Sequence, residues 1–217
     1  MGATKIMVIR HAEKPDPYPN PGDGTDYSGV DAVGTTCGAD GAESLVTIGW
    51  ERAGALVTLF TNPWGPKTPI LAEPQHIYAS DPSAKENGKL PSQRPYETVT
   101  AVAAKLELNI NTKHKKGDYP KMVQDALSKD GVVLICWQHE DIPLLAEGNV
   151  PGISQCILTD TGTSGALGVP KSWPKDANGV ARYDLVWVFD RPSGTGPITG
   201  FQLFAQMLLP GDTTAPT

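Results

Sequence analysis

Arg10 and His11 close one apolar run, "KIMVIRH", and His139 and Glu140 close another, "VVLICWQHE". Between them Arg94 heads an amphipathic stretch, "RPYETVTAVAAKL". Two guanidinium groups and two imidazoles make an inventory suited to an oxyanion of phosphorus. Arginine offers planar pairs of donors that match phosphate oxygens, and charge-assisted bonds of this kind are short and strong. A helix beginning at Arg94 would add backbone donors and a favourable dipole. A neutral imidazole is nucleophilic near neutral pH, so one histidine could attack phosphorus while the other, protonated, stabilises the oxygens. Taken singly, an Arg or His at a strand end is more often a solvated cap or a satisfied structural group than a catalytic one.

Such a site needs elements that converge, and the pattern supplies them. Residues 5–10 and 76–79 are short β-branched or apolar runs of strand type, and 132–137 is a continuous apolar run of the kind found in buried central strands. Apolar residues at helical spacing predict helices over 44–60, from Arg94 to about Leu106, and over 119–128. Pro143 in a first turn and Gly148 past its end predict a short helix after Glu140. Residues 183–189 and 201–209 are late strand candidates, the second a candidate for an antiparallel one. Strands alternating with helices predict an α/β fold, a three-layer α/β/α sandwich around a mostly parallel sheet. In such sheets ligands bind beyond the carboxyl ends of the strands, where Arg10, His11 and His139 fall. The long segments 15–40 and 81–93, rich in Pro, Gly and Asp, are expected to frame the pocket entrance.

At 217 residues the chain fits one domain better than two. Its net charge of −6 offers no general field for nucleic acid or anionic lipid, so anion binding must come from a local cluster. Cys37, Cys136 and Cys156 are odd in number and lack C-x-x-C spacing, which speaks against a zinc site and for a reducing compartment. No run approaches membrane-spanning length and the first residues carry no leader pattern, so a cytoplasmic protein is expected. Nothing in the sequence fixes the oligomeric state.

The segment Arg10-His11-Ala12-Glu13 resembles the R-H-x-E signature of the histidine phosphatase superfamily, with its phosphoglycerate-mutase-like fold. "LVTIGWERAGAL" is similar to the family's helix, "IYASDPS…SQRPYETV" to its S-x-x-x-R-x-x-x-T element with an insertion, and "VVLICWQHEDI" to the strand delivering its second histidine. The resemblance spans most of residues 5–145. It implies that His11 becomes phosphohistidine, that Arg10, Arg94 and His139 bind the phosphoryl oxygens, and that no metal or other cofactor is required. Lys14 sits where the acid-phosphatase branch has a further phosphate-binding arginine, and an exposed lysine is its equally good ordinary reading. Glu140 matches that branch's proton donor, with Glu97 and Asp118 as competitors. Glu13 reads as structural. The expected activity is hydrolysis of a small phosphorylated substrate; a mutase-type phosphotransferase and a catalytically idle phosphate-binding protein remain open. His76 reads as structural, His114 as part of the solvated charge run "KHKK", and Trp173 and the "YDLVWVFDR" segment as core and strand edge.

Overall fold

The computed structural model describes residues 2–15, 43–61, 70–83 and 91–214. Most of the two long segments expected at the pocket entrance therefore lies outside the described residues.

Strand β1 (Ala3–Arg10) is followed by helix α1 (Thr47–Thr61), strand β2 (His76–Ala79) and helix α2 (Arg94–Leu106). Strand β3 (Ile110–Asn111), helix α3 (Tyr119–Leu127), strand β4 (Gly131–Trp137) and helix α4 (Ile153–Asp160) come next, and β5 (Leu185–Asp190) and β6 (Gly200–Ala205) end the series. The six described strands form one sheet in the order β3-β2-β4-β1-β5-β6. It is parallel from β3 to β1, whereas β5 pairs antiparallel with β1 and β6 antiparallel with β5. The sheet is thus less parallel than expected, because the chain after α4 comes back beside β1 in the opposite direction as β5 and then pairs β6 antiparallel to it.

Side chains alternate across the strands and feed two cores. On one face, Ile6, Val8, Val133, Ile135, Trp137, Trp187 and Phe189 meet Met122, Val123 and Ala126 of α3 and Ile153 and Ile157 of α4. On the other, Met7, Ile9, Ile77, Leu134, Cys136, Val186 and Val188 meet Leu56 and Phe60 of α1 and Val99, Val102 and Ala103 of α2. Burial on both faces explains why β1, β4 and β5 are nearly unbroken apolar runs. Trp173 stacks on Trp187 at 5.1 Å between ring centroids, a core role as expected.

The short helix expected between Pro143 and Gly148 is absent. That segment forms turns and a bridge from Leu145 to Pro151, and the helix begins only at Ile153. The reason lies in how α4 starts. Gly152, Ile153 and Ser154 donate backbone N–H groups to the carbonyls of Leu144, Asp141 and Ile142 at 3.0, 2.7 and 3.0 Å. The turn after β4 thus supplies the acceptors that a helix start needs. Gly152 is required there, since a Cβ would lie 2.1 Å from the Pro143 carbonyl oxygen.

Candidate active site

β1 and β4 lie side by side and parallel, with Arg10 opposite Trp137. One further ladder bond, His11 N–H to the Trp137 carbonyl at 3.1 Å, carries the pairing past the strand end. His11 directly follows β1 and His139 comes two residues after β4, so both stand beyond the carboxyl ends of these neighbouring parallel strands. Helix α2 is tied to this end of the sheet through Thr98. Its hydroxyl donates to the Arg94 carbonyl at 2.7 Å and accepts the Ala12 N–H at 2.8 Å, linking the residue after His11 to the turn that begins with Arg94.

Arg10 is buried, 2 % exposed. One terminal nitrogen donates to the Ala181 carbonyl at 2.6 Å, and the guanidinium carbon lies 3.7 Å from the centroid of the Tyr183 ring. This is close enough for a cation–π contact. Its Nε is buried without a hydrogen-bond partner among the described residues. Leaving a buried cationic donor unspent is costly unless a ligand fills the place.

His11 is 3 % exposed, and its Nδ1 stands 2.7 Å from the Ala12 carbonyl oxygen. A carbonyl only accepts, so Nδ1 carries the proton and the lone pair of the neutral ring belongs to Nε2. Burial, then the charges of Arg10 and Arg94, push the His11 pKa well below its ordinary value; the Ala12 bond opposes them and His139 adds to the lowering. The imidazole is therefore neutral at neutral pH, as a nucleophile must be. Its ring centroid lies 6.2 Å from that of Tyr183.

Arg94 is mostly buried and pairs with Glu43 at 3.5 Å. Burial lowers its pKa, and Glu43, Tyr183, Glu97 and Glu140 oppose the change. The influence of Tyr183 and Glu140 on both arginines, with that of both arginines on His11, places these groups within electrostatic reach of one another.

The carboxylates divide differently from what acid catalysis would need. His139 Nδ1 lies 3.1 Å from one oxygen of Glu140, and Lys116 Nζ lies 2.6 Å from the other. Burial would raise the Glu140 pKa, yet the contacts with His139 and Lys116 hold it well below the usual carboxylate range. At neutral pH Glu140 is a carboxylate beside His139, with no proton to give. Glu97 is buried and accepts the Leu45 N–H at 2.9 Å, and Asp118 lies in the short turn before α3. Glu13 lies against Arg52, in keeping with a structural role. Lys14 is exposed. Asp141, which the sequence reading passed over, is buried, and burial pushes its pKa up to about 7.

Tyr183 also escaped the sequence reading, which assigned its segment to the core and a strand edge. Its place over Arg10 depends on the antiparallel return of β5, for which local sequence carries no signal. Beside His139 and Glu140 opens a cleft of about 360 Å³ whose walls include Trp173, Lys171, Lys175, Glu147 and Ala181. Among the described residues, no group of three or more His, Cys, Asp or Glu side chains is placed to hold a metal ion. No described helix is long and apolar enough to cross a membrane.

No protein-family model matches the chain, and no curated protein matches it. Among solved structures it is similar to that of SixA from Agrobacterium tumefaciens, a candidate phosphohistidine phosphatase, at 13 % identity and a TM-score of 0.40. The likeness covers 93 % of this chain and 96 % of that one.

Proposed function

We propose that this protein is a single-domain phosphatase of phosphoglycerate-mutase-like fold that hydrolyses a small phosphate ester through a phosphohistidine at His11. The observation that carries the reading is the pairing of His11, neutral and with its lone pair on Nε2, with a buried Arg10 whose Nε is unspent. Nε2 attacks phosphorus, the P–O bond to the leaving group breaks, and a phosphorus–nitrogen bond forms. Water then attacks phosphorus, releases inorganic phosphate and returns the electron pair to Nε2. Arg10, Arg94 and His139 stabilise the charge on the phosphoryl oxygens in both steps, which is where most of the catalytic advantage of such a site arises.

Glu140 enters as the partner of His139. With Glu140 held ionised, the leaving oxygen draws its proton from water or from the substrate's own acidity, which favours good leaving groups.

Rapid quenching with a ³²P-labelled aryl phosphate tests the proposal. An acid-labile, base-stable phosphoenzyme is expected in the wild type and absent in His11→Ala. Label that persists in the variant would overturn the assignment of His11. Folded wild-type protein giving neither turnover nor label would overturn the reaction itself.

A further inference from the structure

Arg52 of α1 differs from Arg10 in one respect: every donor is spent. Its Nε lies 2.9 and 3.2 Å from the two oxygens of Glu13, and one Nη2 bond reaches Glu13 Oε1 at 2.8 Å. The other donors reach Asp212 at 2.8 and 3.1 Å and Gln206 at 3.1 Å. The side chain is 5 % exposed, as is that of Asp212. Glu13 is held at the backbone too, since its carbonyl accepts the Val46 N–H at 3.2 Å.

The position of Glu13 makes this restraint consequential. It stands two residues after the nucleophile and three after Arg10, whose guanidinium already feels its charge. A free carboxylate there is an internal rival to phosphate: it carries the same sign, matches the same fork and is tethered at high effective concentration.

Resting on the phosphatase reading, we propose that Arg52 is a positioning residue. It keeps the Glu13 carboxylate off Arg10 and fastens the segment after His11 to the C-terminal turn at Asp212. The planar fork of Arg52 is what spans both carboxylates, and a lysine ammonium in its place cannot hold both bidentately.

Calorimetric titration with inorganic phosphate tests this on the full chain. Arg52→Met is expected to weaken phosphate binding by about tenfold or more, equivalent to roughly 1.4 kcal/mol. Adding Glu13→Gln to that variant is expected to restore binding to within about threefold, since a neutral amide does not compete for a guanidinium. Should Arg52→Met fail to fold, Arg52→Lys, which keeps the charge, carries the same pair of measurements. In kinetics the loss appears mainly in KM and is rescued by the same second substitution. A loss that Glu13→Gln does not repair, or no loss in folded Arg52→Lys, overturns the proposal. Wild-type protein that binds no phosphate overturns it together with the phosphatase reading, which separates the two failures.

Discussion

At the residue scale, the site sets His11 apart from an ordinary surface histidine through burial and like charge. Removing an imidazole from water disfavours its charged form, and the neighbouring guanidinium groups disfavour it further. A histidine with a lowered pKa is neutral above that value, so its nucleophilic form persists as pH falls through the ordinary titration range. An NMR titration of the His11 ring is expected to show a midpoint well below about 6.5, the unperturbed value. Arg94→Gln removes one of the opposing charges and is expected to move that midpoint upward. A wild-type midpoint near the unperturbed value, or a downward shift in the variant, would contradict this account of the site.

The four residues of the proposed site stand out in the sequence because each sits at or just beyond the boundary of an element, where apolar pattern gives way to charge. What they touch was not legible. The ionised state of Glu140 depends on Lys116, 24 residues away in the chain. The ring over Arg10 comes from Tyr183, delivered by a strand whose direction the local pattern does not encode. Partners brought together by tertiary packing leave no trace in spacing.

At the scale of elements, α1 carries two glycines with opposite roles. Gly49 faces the segment after His11, and a Cβ there would lie 2.6 Å from the Glu13 carbonyl oxygen and 3.1 Å from its nitrogen. Both are backbone atoms and cannot swing aside. Gly54, one and a half turns further along the same helix, is exposed and has nothing within 4 Å of a would-be Cβ. Gly54→Ala is thus expected to stabilise the protein by about 1 kcal/mol through helix propensity. Gly49→Ala is expected to destabilise it by roughly 1–3 kcal/mol as an overpacked contact, and to lower kcat by displacing the His11 segment. Thermal melts and turnover of an aryl phosphate, measured side by side, check both. Equal effects from the two substitutions would mean that α1 does not hold the segment by close approach.

The same contrast shows why the main elements could be read from the sequence while α4 could not. α1, α2 and α3 bury one apolar stripe each against the sheet, a pattern local to the helix. The start of α4 is set by carbonyls of the turn after β4, so the Pro143 and Gly148 signals pointed to a helix in the wrong place.

At the scale of the whole molecule, two arginines hold the end of the described chain, and one of them, Arg52, ties it to the segment after His11. Arg52 holds Asp212, and Arg182 pairs with Asp184 while donating to the carbonyls of Thr213 and Thr214 at 2.6 and 2.8 Å. Asp212 also accepts the N–H groups of Leu208 and Leu209 at 2.8 and 3.1 Å. Burial would raise the Asp212 pKa, but Arg52 and these amides lower it below the ordinary 3.8. A carboxyl with a lowered folded pKa stabilises the native state fully above its unfolded value. As pH falls through the folded value, the unfolded chain has taken up the proton first and the contribution disappears. Asp212→Asn removes the charge and sets an amide N–H₂ where one carboxylate oxygen accepts. It is expected to cost roughly 2 kcal/mol near neutral pH, the scale of hydrogen bonds to a charged group. For a chain of this length that corresponds to a fall in Tm of roughly 4–8 °C. The deficit should be constant down to about pH 4 and shrink below it, because the wild type loses the same interaction once Asp212 is protonated. Thermal melts of both proteins across that range measure it. A Tm difference that stays constant into the acid range would show that the C-terminal segment is held by packing rather than by the charge of Asp212.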